Sequence, residues 1–296
     1  MVGALVRVRL HDHVEELNVK LGNRALLALF VVLALTLSAC GDDDGDNGAV
    51  VDEGLGLIED GKLRVGSDIN FAPFEFVEDG VEKGFDIELM DELAKRLGVE
   101  AEYVNTSFDT IFTQLAGGEF DVIISAITIT AERDETIDFS SPYFAANQAL
   151  VVPKDSDITG VADLEGKDVG TQAGTTGLDY AKENFTGARV VEFPDAPAGF
   201  TAMAAGQLDA MFIDLPVAAE QVEGNADFML AEEVDTNELY GIGLQQGNSA
   251  LQEAINTHIA DMIADGTYAA IYAKWFEGDV PQQFRAPADD TSEADS

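Results

Sequence analysis

Basic residues, cysteine and histidine are scarce in this chain of 296 residues, and each scarcity removes a class of function. Lysine and arginine number 16 against 56 aspartates and glutamates, a formal charge of -40. A field of that sign repels nucleic-acid phosphates and anionic membrane surfaces, so DNA and RNA are excluded as partners. The same surplus would keep a protein soluble in a saline medium, where salt screens repulsion, and it says nothing about the fold. A single cysteine, Cys40, allows no intramolecular disulfide, no thiolate metal cluster and no CxxC pair. Of the histidines, His11 and His13 lie in the first segment and only His258 beyond it. Ser-His or Cys-His catalysis and histidine metal sites therefore have almost no material, and no metal or cofactor is expected. Acid pairs are uninformative here, because 56 acids place pairs everywhere. Apolar residues are not scarce: they make up 46% of the chain, enough to bury a core.

Lys20 and Arg24 flank an apolar run from Ala25 to Leu37, which closes on Leu37-Ser38-Ala39-Cys40. A charged segment, a short apolar core and small residues before a break point read as a signal peptide. The run is too short for a membrane span of about 20 residues. Its end resembles the bacterial lipobox, which implies that residues 1–39 are removed and that Cys40 carries the lipid. The segment before Val19 then reads as an over-long start or an unusual n-region; the alternative for Cys40 is a free thiol in a core helix. The stretch from Gly41 to Gly48 is acidic and without large apolar residues, so 40–56 reads as a tether, and 280–296 as an acidic tail that frays.

Between Leu57 and Gly278 short apolar runs alternate with amphipathic helices. Strands are expected at Lys62 to Gly66, Asp121 to Ile127, Leu164 to Gly170 and Asp209 to Ile213. Helices are expected at Asp86 to Leu97, Leu178 to Asn184 and Ala198 to Ala205, with a last one capped at Asn248-Ser249 and apolar at Leu251, Ile255, Ile259, Met262 and Ile263. Such alternation predicts an α/β protein with mostly parallel sheets, whose ligands sit beyond the carboxyl ends of strands. The loops after Gly66, Ile127, Gly170 and Ile213 are the places to search.

Each of them holds suitable chemistry. Asp68 and Phe71 follow the first strand; Ala126, Thr128 and Arg133 follow the second. Gln172, Gly174, Thr175 and Thr176 open a helix, whose N-terminus favours anions, and Asp214 ends the fourth strand. One arginine, one helix N-terminus, two carboxylates and several hydroxyls suit a zwitterion. Taken singly, Arg133 also reads as a surface arginine paired with Glu135, Asp214 as a helix cap, Gly174 to Gly177 as a plain turn, and Phe71 and Phe108 as core.

The segment Gly84-Phe85-Asp86-Ile87-Glu88-Leu89 resembles the signature of the polar-amino-acid family of bacterial periplasmic binding proteins, extracellular solute-binding family 3. Asp68 to Phe76, Ile127 to Arg133, Ile137 to Tyr143, Gly174 to Thr176 and Gly266 through Phe276 match its motifs in order. The resemblance implies a two-lobed, type II periplasmic-binding-protein fold with the ligand closed between lobes. Lobe 1 would be 57–145 plus 240–279 and lobe 2 146–239, with crossovers near Tyr143 to Asn147 and Asn237 to Tyr240.

It further implies that Arg133 grips the α-carboxylate of a free L-amino acid, assisted by backbone N–H groups at Thr128 and Thr176. Asp214 would pair with the α-ammonium, helped by the Ala126 carbonyl and the Thr128 hydroxyl. Phe71 and Phe108 would sandwich the side chain, with Asp68 at its far end. Gln172 and Ile213 stand where glutamine-binding relatives have Lys and His, which favours basic and amide side chains over apolar ones and places acidic ones last. The partners implied are ABC importer permease subunits, and the membrane only through the lipid; the protein would act as a monomer. A dehydratase of the same fold and a sensor serving a signalling receptor are the rival readings.

Overall fold

The structure is a computed structural model that describes residues 54–286; the signal segment and Cys40 lie outside the described residues. The chain opens with β1 (Lys62–Ser67), the hairpin β2 (Phe76–Glu78) and β3 (Val81–Lys83), α1 (Phe85–Leu97), β4 (Glu100–Asn105) and α2 (Phe108–Ala116). The two-residue β5 (Val122–Ile123), the one-turn α3 (Ala131–Asp134) and β6 (Asp138–Phe139) follow. Then come β7 (Phe144–Pro153), β8 (Asp168–Gln172), α4 (Thr176–Asn184), β9 (Arg189–Phe193), α5 (Ala196–Ala204), β10 (Ala210–Asp214), α6 (Leu215–Gly224) and β11 (Phe228–Tyr240). The last elements are β12 (Gly243–Leu244), α7 (Ser249–Ala264) and α8 (Thr267–Trp275).

Two five-stranded sheets carry the fold, in the orders β4-β1-β5-β12-β6 and β11-β7-β10-β8-β9. In the first, β1 runs parallel to β4 and β5, while β12 closes antiparallel on β5 and β6. In the second, β8, β9 and β10 are parallel, and β7 and β11 are antiparallel additions. The central strand β10 is apolar up to Asp214 with all five residues buried, as expected of a strand covered on both faces, while the outer strands β4 and β9 carry exposed charged residues. The chain enters the second sheet at Phe144 and leaves it at Tyr240, so the architecture is two-lobed with two strands crossing between the lobes.

Local chemistry sets the element ends. Helix α1 starts after Gly84 at φ 132, where a Cβ would stand 2.0 Å from the Phe74 carbonyl oxygen, so only glycine fits. It stops at Gly98 in the left-handed conformation, with Asp86 and Glu88 in its first turn and Lys95 and Arg96 in its last, as the helix dipole favours. Its Phe85 joins a cluster of rings where the crossing strands leave the first sheet: Phe85 to Phe276 is 5.3 Å, Phe74 to Phe144 5.0 Å and Phe144 to Phe276 4.9 Å. Rings at these separations attract beyond their area burial.

Two expected strands are shorter or shifted. The run from Asp121 to Ile127 pairs only at Val122–Ile123, because Ala126 turns to φ 46 and takes the chain out of the ladder. The run from Leu164 to Gly170 begins as a turn, with Gly166 at φ 74 and Lys167 N–H donating to the Leu164 carbonyl, and becomes strand only at Asp168. Past Gly278, a short turn at Gln282–Phe284 buries Phe284 against Tyr268, ring centres 5.7 Å apart.

Asn248 caps α7, its Oδ1 accepting from Leu251 N–H at 3.3 Å while its Nδ2 donates to the Leu55 carbonyl at 2.9 Å. Asn248→Ala is expected to lower stability by about 0.5–2 kcal/mol, the range for lost caps. Urea melts should show an earlier midpoint at unchanged slope; an unmoved midpoint would mean that the cap contributes nothing.

Candidate functional site

Loops from both sheets converge on one cavity. Asp68 and Phe71 reach it from the end of β1, Phe108 from α2, Ser125, Ala126, Thr128 and Arg133 from beyond β5, Gln172, Thr175 and Thr176 from the end of β8, and Asp214 from the end of β10. Every residue expected to touch ligand therefore stands around it, with Ser125 in addition. The enclosed space is about 10 Å³, room for about one water.

Arg133 sits on the one-turn helix α3, capped by Thr130 Oγ1, which accepts from the Arg133 N–H at 3.2 Å. Its Nη1 donates to the Thr128 carbonyl at 2.7 Å and its Nη2 to the Gly174 carbonyl at 3.0 Å, so one guanidinium touches both lobes. Its carbon lies 4.6 Å from the Phe112 ring centre and 5.4 Å from that of Phe108. Both of its hydrogen bonds go to carbonyls, not to Glu135. Burial pushes its pKa down to about 10, against the pull of the nearby Glu238 and Asp214 charges. A half-buried cation hydrogen-bonded only to carbonyls gains from the arrival of an anion.

Asp214 occupies the cap position of α6 but makes no cap bond. Its Oδ1 accepts from Gln148 Nε2 at 2.5 Å and its Oδ2 from the Tyr240 hydroxyl. Burial, with Glu238 nearby, lifts its pKa to about 7 although Tyr240 and Gln148 favour the charged form. Asp68 Oδ2 accepts from Gln172 Nε2 at 2.7 Å, linking the ends of β1 and β8. Burial raises Asp68 to about 6, and Asp195 adds to the shift. Gln172 Oε1 is buried and accepts no donor.

At the opening of α4, Thr175 Oγ1 accepts from Leu178 N–H at 3.1 Å and donates to the Gln172 carbonyl at 2.8 Å. Gly174, at φ 76, lets the lobes approach: a Cβ there would lie 3.0 Å from Asp109 Cα. Glu238 was not legible in the sequence. Its Oε2 accepts from Thr128 Oγ1 at 2.6 Å and Thr176 Oγ1 at 2.9 Å, and its Oε1 from Gln148 Nε2 at 2.9 Å. Gln148, Tyr240 and Phe112 were missed as well. The register shift of β11 between Val234 and Glu238, with Asn237 at φ 51, turns Glu238 inward. A bulge on a polar strand leaves no mark in hydrophobic alternation.

The model of the bacterial extracellular solute-binding proteins, family 3, matches residues 63–278. The chain belongs to that family. It is 35% identical over 235 residues to the L-cystine-binding protein TcyJ of Escherichia coli (strain K12), covering 77% of this chain and 88% of that one. To the ABC transporter glutamine-binding protein GlnH of Bacillus subtilis (strain 168) it is 34% identical over 271 residues, 88% of this chain and 98% of GlnH. A solved ancestral arginine-binding protein bound to arginine superposes with a TM-score of 0.71 at 41% identity, covering 73% of this chain and 99% of that one. The relatives named here are binding proteins, not enzymes, and the family assignment makes this chain a solute-binding protein rather than a dehydratase.

Proposed function

We propose that this amino-acid-binding protein of an ABC importer takes a basic amino acid, arginine in first place, and amides such as glutamine more weakly. The observation that carries the reading is the set of ionisable groups, largely shielded from water, around one cavity. Arg133 awaits an anion, and the two carboxyl groups that line the cavity with it, Asp214 and Asp68, outnumber it, with Glu238 behind the lining on Thr128 and Thr176. A ligand with one carboxylate and two cationic groups offsets that excess better than a neutral zwitterion, and an acidic ligand worsens it. Arg133 takes the α-carboxylate, and Asp214 the α-ammonium. Protons of Thr128 and Thr176 are committed to Glu238, which leaves hydroxyl lone pairs for the ammonium. Phe71 and Phe108 flank the side chain, and Asp68 with Gln172 Oε1 accepts from its far end. The 41% identity to an ancestral arginine-binding protein, solved with arginine and with glutamine, supports a ligand of these two classes.

A cavity of about 10 Å³ is smaller than any amino acid, so entry requires the ends of β1 and β8 to part and the crossing strands β7 and β11 to flex. We place the protein outside the cytoplasm as a monomer, held to the membrane by lipid on Cys40, where it hands its ligand to the permease subunits.

Calorimetry of the twenty amino acids tests the reading. Arginine should bind most tightly, glutamine more weakly and glutamate least. Because Asp214 and Asp68 must be ionised to receive cations, binding releases protons. With free-site values near 7 and 6, affinity is full above pH 7 and falls as pH drops through these values. Buffers of different ionisation enthalpy at pH 6 should reveal the release. Proton uptake, or tightest binding to an acidic or apolar amino acid, would overturn the assignment.

A further inference from the structure

Behind the cavity lies a pair of acids that takes no part in lining it. Glu75 and Asp86 are fully buried. Glu75 Oε1 accepts from Ser125 Oγ at 2.6 Å, and Ser125 Oγ in turn accepts from the Asp68 N–H at 3.2 Å. Asp86 Oδ2 accepts from the Ala126 N–H at 2.8 Å and the Tyr143 hydroxyl at 2.9 Å. The two remaining oxygens, Glu75 Oε2 and Asp86 Oδ1, are buried and receive no donor, and each carboxyl group is close enough to shift the titration of the other.

Ionised carboxylates only accept, so two neighbouring buried acids that each keep an oxygen without a donor avoid a double charge by holding one proton between them. The titratable groups facing the pair are all acidic: Asp68 from the loop after β1, Tyr143 ahead of β7, and, further off, Tyr103 of β4 and Tyr268 of α8. Asp86 holds two donors on one oxygen and keeps the charge. Burial and the Asp86 and Asp68 charges push Glu75 well above the ordinary carboxyl range, which leaves the proton on Glu75.

We propose that Glu75 and Asp86 share one proton and act as positioning residues for the amino-acid site, clamping the Ser125-Ala126 turn and, through Ser125, the Asp68 backbone. Ala126 stands at φ 46, a conformation that an alanine keeps only when its surroundings hold it. Asp86 supplies that hold, which gives the Gly84-Phe85-Asp86 segment a task in recognition. The positioning role rests on the amino-acid reading above; the shared proton does not.

Glu75→Gln in the full chain tests both. The amide oxygen accepts from Ser125 and the amide N–H donates to Asp86 at every pH, mimicking the protonated acid. Affinity for arginine should stay within about threefold of wild type, since a mimic loses under about 0.7 kcal/mol. Wild type holds a proton that its unfolded chain releases above about pH 4.3. Its stability therefore falls as pH rises from there towards the raised folded value, and the variant escapes that loss. The melting temperature of the variant minus that of wild type should be near zero at pH 4 and increasingly positive to pH 8. A difference that turns negative as pH rises would mean an ionised Glu75 and overturn the shared proton.

Glu75→Leu, which breaks both links, should weaken arginine at least tenfold; a folded leucine variant with wild-type affinity overturns the positioning role. If the leucine variant does not fold, Ser125→Ala removes the Glu75–Ser125–Asp68 link while leaving Asp86 on the Ala126 N–H, and should weaken arginine about threefold or more, unchanged affinity overturning the role. A wild type that binds no amino acid overturns the functional reading and the positioning role with it, while the melting series still decides the proton.

Discussion

Arg133→Met is expected to bind every amino acid that wild type accepts about two to three and a half orders of magnitude more weakly, with unchanged circular dichroism. Its guanidinium is half-buried, anchored on the Thr128 and Gly174 carbonyls and backed by Phe108 and Phe112. Once the ligand α-carboxylate meets it, the two form a buried ion pair. Removing one member of such a pair costs about 3–5 kcal/mol, because its mate is left uncompensated. At about 1.4 kcal/mol per decade this gives the stated loss. An exposed arginine in a surface pair would cost only about 0–1 kcal/mol. Calorimetric titration separates these outcomes: a folded variant within about fivefold of wild type means that the carboxylate is held elsewhere.

Asp68→Asn should cost arginine about tenfold to a hundredfold while changing glutamine less than about threefold. Charged hydrogen bonds contribute about 1.5–3 kcal/mol and neutral ones about 0.5–1.5 kcal/mol. Asparagine keeps an acceptor for Gln172 Nε2, so the link between β1 and β8 survives. The loss should shrink below pH 6, where Asp68 in wild type takes up its own proton before ligand arrives. Parallel titrations of both ligands against both proteins decide it. Equal losses for arginine and glutamine would make Asp68 a structural bridge between the lobes, not a reader of side-chain charge.

The parts of the site written in consecutive residues were legible in the sequence. A strand ending in Asp68, the Thr-rich turn leading to Arg133, the Gly174-Thr175-Thr176 opening of α4 and Asp214 at the end of β10 each combine an apolar run with a polar stop. Strand ends are where an α/β sheet exposes chemistry, so periodicity alone led to the loops. What stayed illegible was which of the 56 acids are buried. Glu238 meets Thr128 across 110 residues and Gln148 across 90, and Ser125 meets Glu75 across 50. Nothing local distinguishes those glutamates from their solvated neighbours.

The sequence by itself determined the α/β alternation, the family and most of the residues that gather at the candidate cavity, because helix and strand periods and short motifs are local properties of the chain. Only the tertiary structure decided the charge states and the partners. It took Asp214 away from its helix cap and turned it to Gln148 and Tyr240, pressed Arg133 between two carbonyls and two rings, and buried Glu75 and Asp86 each with one oxygen that receives no donor. Burial sets the cost of each charge and long-range neighbours set its compensation, and both exist only once the two sheets have come together.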